Sequence, residues 1–207
     1  MSTLFKDINL SSCPSTGILK GLNDQLLAEL QVIASGKLVD ISGLNVSLGS
    51  GAIPFVGGLT AKAKLEAAIT AHGVTLHINS AYRTFAQQFL LFREKNFGTA
   101  GCGITAVARP GASNHESGLA LDIKNPLTWK PFLQAQDWRH FDPKDLPHYD
   151  FIGGGTDLRS LGIMAFQSLW NKHNPTDRID VDGALLLPRW QDSETIKRLL
   201  KTPIDGF

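Results

Sequence analysis

Apolar residues Ile18, Leu19, Leu22, Leu26, Leu27, Leu30 and Ile33 recur at helical spacing. They predict an amphipathic helix over residues 15–34, capped by Ser15 or Thr16. Residues 38–56 are rich in Gly, Ser and β-branched residues, as in short strands and turns, and Pro54 with Gly57-Gly58 closes that section. A second helix is predicted from Thr60 to Ala71, ended by Gly73. Val74 to Ser80 then alternates, with Val74, Leu76 and Ile78 on one face and Thr75, His77 and Asn79 on the other. A third helix runs from Thr84 to Lys95 with Phe85, Phe89 and Phe92 among its apolar positions. A Gly-rich loop over 97–112 leads to strands at Gly118–Ile123 and His148–Ile152.

After Gly153-Gly154-Gly155 the character changes. Leu158, Leu161, Ala165, Phe166, Leu169 and Trp170 mark a helix from Asp157 to Lys172, with Phe166 and Trp170 as core residues. Asp180-Val-Asp-Gly183 reads as a turn, and Ser193 to Lys201 as a short helix capped by Ser193. Together these elements predict an α+β chain, a small antiparallel sheet with flanking helices. The expected divisions are an N-terminal helical extension (1–48), a central domain (49–155) and a C-terminal helical segment (156–207).

The 207 residues suffice for one core plus an appendage. A net charge of +1, with Lys and Arg scattered, gives no electrostatic case for nucleic acid or an anionic membrane surface. No apolar run approaches the ~20 residues of a membrane span. Cys13 and Cys102 form no Cys-x-x-Cys pair, and two free thiols are expected.

The chemistry concentrates in Ser113-Asn-His-Glu-Ser-Gly-Leu-Ala-Leu-Asp122. It places an imidazole, His115, and a carboxylate, Asp122, around a strand whose Asp face carries only the small Gly118 and Ala120. Asp145-Leu-Pro-His148-Tyr supplies a second imidazole with a carboxylate three residues before it. Two His and one Asp leave a fourth tetrahedral position open for water, as in catalytic zinc sites. Zinc lowers the pKa of water from ~15.7 to ~7, about 12 kcal/mol. Pro147 holds Leu146 extended, which places Asp145 on a turn beside the metal as a general base. Arg83, in Ser80-Ala-Tyr-Arg-Thr84 at a strand end, is the candidate cation for a developing oxyanion. His140 is the rival third ligand, Asp142 and Asp150 are lesser candidates for the base, and His72, His77 and His173 read as surface or partly buried residues.

These motifs resemble the VanY-type zinc D-alanyl-D-alanine carboxypeptidases and their endolysin relatives. Residues 113–122 match that family's Ser-x-His-x-x-Gly-x-Ala-x-Asp at every fixed position. Ser80 to Thr84 match its Ser-x-Tyr-Arg-Thr segment, with Gln87 and Gln88 following, and Asp145 to Tyr149 match its acidic-x-x-His-aromatic motif. The resemblance covers roughly residues 50–152 and implies a Hedgehog-like fold. It further implies one zinc ion on His115, Asp122 and His148, a base at Asp145 and an oxyanion partner at Arg83. Ser113, Tyr82 and Gln87 would then contact substrate.

The implied activity is hydrolysis of peptidoglycan stem peptides by a monomer, with release of terminal D-alanine. Asp rather than Glu at position 145 keeps an L-alanyl-D-glutamate or other cell-wall endopeptidase as the alternative. A non-catalytic zinc-containing module that binds peptidoglycan or protein partners is a third reading. The tail, with Ala165-Phe166-Gln167 and Asp182-Gly183, faintly resembles small peptidoglycan-binding helical modules. No basic stretch followed by an apolar one opens the chain, so synthesis in the cytoplasm and delivery to the wall by another route are expected.

Overall fold

A computed structural model of the chain describes residues 2–104, 106–142, 145–185 and 190–207. In chain order the elements are α1 (Lys20–Ile33), β1 (Val39–Asp40), β2 (Val46–Leu48), β3 (Phe55–Val56), α2 (Leu59–His72), β4 (Leu76–Ser80), α3 (Phe85–Phe97), β5 (Ala120–Ile123), α4 (Pro126–Gln134), β6 (Trp138–Asp142), β7 (Asp145–Phe151), α5 (Arg159–His173) and α6 (Glu194–Leu200). The class is α+β. The packing groups the chain otherwise than the expected cuts after residues 48 and 155. One unit combines residues 36–83 with 114–158, and the other combines 1–35, 84–113 and 159–207. The reason is that α3, from the middle of the chain, packs with α1 and α5.

In the first unit β1 and β3 form a two-stranded antiparallel sheet. The main sheet has the order β2-β4-β5-β7-β6. Its pairs are antiparallel except β2 with β4, which run parallel. Leu76 and Ile78 of β4 and Leu121 and Ile123 of β5 point into one core. Leu65 and Ala68 of α2, Trp138 of β6, and Tyr149 and Phe151 of β7 complete it. The alternation predicted for residues 74–80 holds from Leu76 onward, but Val74 precedes the strand and is exposed. Two elements escaped the sequence pattern. In α4, Asn125 in the left-handed region and Pro126 at the first turn start a nine-residue helix that also contains Pro131. Its brevity and its prolines hide the 3.6-residue period. In β6 the apolar Trp138 and Phe141 stand three positions apart and the register shifts between His140 and Asp142, so no period of two shows in the sequence.

In the second unit the apolar faces of α1, α3, α5 and α6 enclose Phe5, Leu22, Leu26, Phe85, Phe89, Phe166, Trp170, Ile196 and Leu199. Thr84 caps α3, accepting from the Gln87 amide, while the Gln87 side chain accepts from the Thr84 N–H. Ser15 caps only a short 3₁₀ turn, Thr16–Leu19, ahead of α1. Ser193 precedes α6 without a side-chain cap; its carbonyl accepts from Lys197 N–H.

The two cysteines require a correction. Cys13 and Cys102 are joined as a disulfide, with Cα atoms 5.3 Å apart. The turn Leu10–Ser12 packs against the turn Thr99–Gly103, and this brings positions 89 apart in sequence within bridging range. No local sequence signal reports such a pairing.

Candidate metal centre

Strands β5 and β7 pair so that Asp122 lies opposite His148 and Ala120 opposite Asp150. His115 enters from the turn that precedes β5. That turn is held by the His115 carbonyl, which accepts from the N–H groups of Arg83 (3.1 Å) and Gly118 (3.2 Å). Gly118 has φ +78, and a Cβ there would stand 3.0 Å from the Gly57 backbone. Glycine is therefore required for the chain to turn from His115 into the strand.

His115, Asp122 and His148 each offer one ligand atom, all within 4.8 Å of one another. His115 Nε2 stands 3.2 Å from Asp122 Oδ2, and His148 Nδ1 stands 3.0 Å from Asp122 Oδ1. The imidazole rings lie 5.0 Å apart at 74°. Each ring is oriented through its other nitrogen. His115 Nδ1 is 2.9 Å from the Ala81 carbonyl, which can only accept, so that nitrogen carries a proton. His148 Nε2 lies 3.1 Å from Asp150 Oδ1.

Charge sharpens this picture. Burial first, then the nearby Arg83, pull the His115 pKa below the ordinary value, so its ring is neutral near pH 7. With the proton on Nδ1, the Nε2 lone pair faces a carboxylate oxygen. Burial alone would raise Asp122, but the two imidazoles overcome it and hold this carboxyl well below the usual carboxylate range. Burial would lower His148, but its hydrogen bonds to Asp122 and Asp150 prevail and push it up to about 9. Two electron-rich ligand atoms facing one another, with an imidazolium proton beside them, is an arrangement that a divalent cation resolves. Nitrogen and carboxylate donors in this number fit zinc.

Arg83 belongs to the same cluster. Its guanidinium is largely buried, donates to Ser80 Oγ at 3.0 Å and stands 3.8 Å from Asp122 Oδ2. Burial lowers its pKa, opposed by the negative charges of Asp122, Glu116 and Asp145. Asp145 is the first residue of β7, opposite Asp142, on a strand rather than on the turn that Pro147 suggests. Tyr82 is buried, and burial followed by the Glu116 charge holds its hydroxyl protonated. Ser113 and Gln87 are buried residues of the second unit, Gln87 within the α3 cap. His140 is engaged away from the three ligands. Its Nε2 meets the Leu146 carbonyl at 2.7 Å and its ring packs on Tyr149. The Asp142 side chain lies outside the described residues.

Two carboxylates carry more than the motifs assign them. Glu116 is buried, and its charge acts on Arg83 and Tyr82. Asp150 is buried against His148 and accepts from Asn114 Nδ2 at 2.8 Å. Asp150 was readable in principle, since it shares a strand face with His148 two positions away.

No curated protein and no solved structure matches the chain. Residues 59–142, a stretch that holds Arg83, His115 and Asp122 and stops short of Asp145 and His148, match the VanY family model, described as D-alanyl-D-alanine carboxypeptidase.

Proposed function

We propose that this chain is a zinc-dependent peptidase that acts on peptidoglycan stem peptides and releases terminal D-alanine. The observation that carries the proposal is the convergence of His115, Asp122 and His148 beside a largely buried Arg83. The family match over residues 59–142 supports the reaction class. A divalent ion bound by the three ligands would act as a Lewis acid and make water a competent nucleophile near neutral pH.

The chain's own groups divide the remaining work. Arg83 presents its guanidinium to the carbonyl oxygen as negative charge develops there, a donor typically worth ~3–4 kcal/mol. Asp145 accepts the proton of the attacking water on its carboxylate and returns it to the leaving amine, worth roughly 10²–10⁴-fold. Tyr82, in the same unit as the three ligands, is proposed to border the substrate. Among the described residues no helix is long and apolar enough to cross a membrane. We place the substrate in the cell wall and take the working form to be a monomer.

An Asp at the base position favours a second reading, an endopeptidase that cuts within the stem. Incubation of the purified protein with defined stem pentapeptides, with and without chelator, separates the two by mass spectrometry. Loss of one D-alanine, abolished by chelator, supports the carboxypeptidase, and internal fragments support the endopeptidase. No product of either kind leaves a non-catalytic module. Asp145→Ala is expected to keep the metal and lose turnover; unchanged turnover removes Asp145 from its role.

A further inference from the structure

Asp150 belongs to none of the motifs that point to peptide hydrolysis, yet it is a buried carboxylate with three partners near the centre. It is buried on β7, two residues beyond His148 and facing the same way. Its Oδ1 meets His148 Nε2 at 3.1 Å and accepts from Asn114 Nδ2 at 2.8 Å. Its Oδ2 lies 3.9 Å from the Arg139 guanidinium, on the residue paired with it across β6. The neighbour across β5 is Ala120, whose small side chain leaves room for the carboxylate. A buried carboxylate is costly to maintain unless it is paired and hydrogen-bonded. Here the partners are a ligand, the residue next to a ligand, and a balancing cation.

We propose that Asp150 is a positioning residue that locks His148 in the orientation with Nδ1 toward the metal site, and that through Asn114 it ties the His115 turn to the strand bearing His148. The inference rests on the metal-site reading above. An imidazole has two nitrogens, and a metal takes whichever one its surroundings leave available. With Asp150 accepting from Nε2–H, only Nδ1 is turned toward Asp122, 3.0 Å away. His115 is fixed the opposite way round, with Nδ1 on the Ala81 carbonyl and Nε2 toward Asp122. The two rings thus approach the same point through different nitrogens. The His115 ring is set by a backbone carbonyl that no substitution removes. The His148 ring is set by a single replaceable side chain. Partners of this kind behind a metal-bound His are typically worth ~10–100-fold in metal affinity.

The test compares wild type with Asp150→Ala, Asp150→Asn and Asn114→Ala, with folding checked by near-ultraviolet circular dichroism. Zinc affinity is read by chelator competition. The ligating nitrogen of His148 is read by long-range ¹H–¹⁵N correlation on the zinc-loaded protein. Wild type is expected to show His148 bound through Nδ1 with a proton on Nε2. Asp150→Ala is expected to weaken zinc by about 10–100-fold and to mix or exchange the ligating nitrogen. Asp150→Asn keeps an acceptor at Oδ1 and is expected to recover Nδ1 ligation and most of the affinity. Asn114→Ala is expected to fall between wild type and Asp150→Ala. Should Asp150→Ala fail to fold, Asp150→Ser, which removes the carboxylate behind Nε2 and keeps a small polar side chain, carries the test in its place: Nδ1 ligation at wild-type affinity in that variant overturns the proposal. Wild-type zinc affinity and Nδ1 ligation in a folded Asp150→Ala overturn it as well. A wild type that binds no zinc at all overturns the metal-site reading instead, and this inference with it.

Discussion

Metal uptake by this site should release a proton, and the structure says which one. Near pH 7 Asp122 is already ionised and His115 is already neutral, because the surroundings push both in the direction a ligand needs. His148 is the exception. Held at about 9 against burial by its hydrogen bonds to Asp122 and Asp150, its ring carries a proton on both nitrogens. The cation must displace the Nδ1 proton that faces Asp122. Competition of this kind makes the apparent affinity fall about tenfold for each pH unit below 9. Between pH 7 and pH 9 the zinc affinity should rise about fifty-fold and then level off. In the metal-free protein the same shift runs the other way. A pKa raised from 6.5 to about 9 in the folded state gives stability that is full below pH 6.5. That stability is lost as pH climbs through about 9. Titration calorimetry in two buffers of different ionisation enthalpy gives the proton count. Chelator-buffered zinc gives the affinity profile. About one proton released per ion at pH 7 is expected. Affinity that stays flat between pH 7 and 9, with no proton released, refutes the reasoning.

Three further perturbations test other parts of the structure. Arg83→Ala should lower kcat by about 10²–10³ while leaving metal stoichiometry unchanged, and Arg83→Lys should recover only part of the loss, as steady-state kinetics and metal analysis will show. Removing the Cys13–Cys102 bridge, which spans 89 positions, should cost up to about 4.6 kcal/mol in urea unfolding on the chain-entropy argument, and a double Ser variant equal to wild type would contradict a formed bridge. Gly118→Ala should destabilise by more than about 1 kcal/mol and weaken zinc binding, because the new Cβ meets the Gly57 backbone at a positive φ.

The meeting of His115, Asp122 and His148 was more legible than the frame around it. A strand's period of two is enough to put Asp122 and Ala120 on one face, and β5 and β7 realise that face with Asp122 opposite His148. The long helices α1, α2, α3 and α5 also stand where apolar spacing places them, within a few residues. Three things were hidden, each for a physical reason. Helix α4 is short and carries prolines, and β6 has its apolar Trp138 and Phe141 three positions apart across a register shift, so neither displays its period. The Cys13–Cys102 bridge depends on two turns meeting in space, which no local pattern encodes. The grouping of α3 with both termini is likewise a property of packing rather than of order along the chain. Asp150 illustrates the intermediate case: its face was readable, but its hold on His148 Nε2 became visible only with the ring's orientation.

Crystals grown with zinc and measured across the zinc absorption edge would locate the ion directly. We expect a single anomalous peak about 2.0–2.2 Å from His115 Nε2, a carboxylate oxygen of Asp122 and His148 Nδ1. A peak elsewhere, or none at these three side chains, would contradict the claim that they form one metal site.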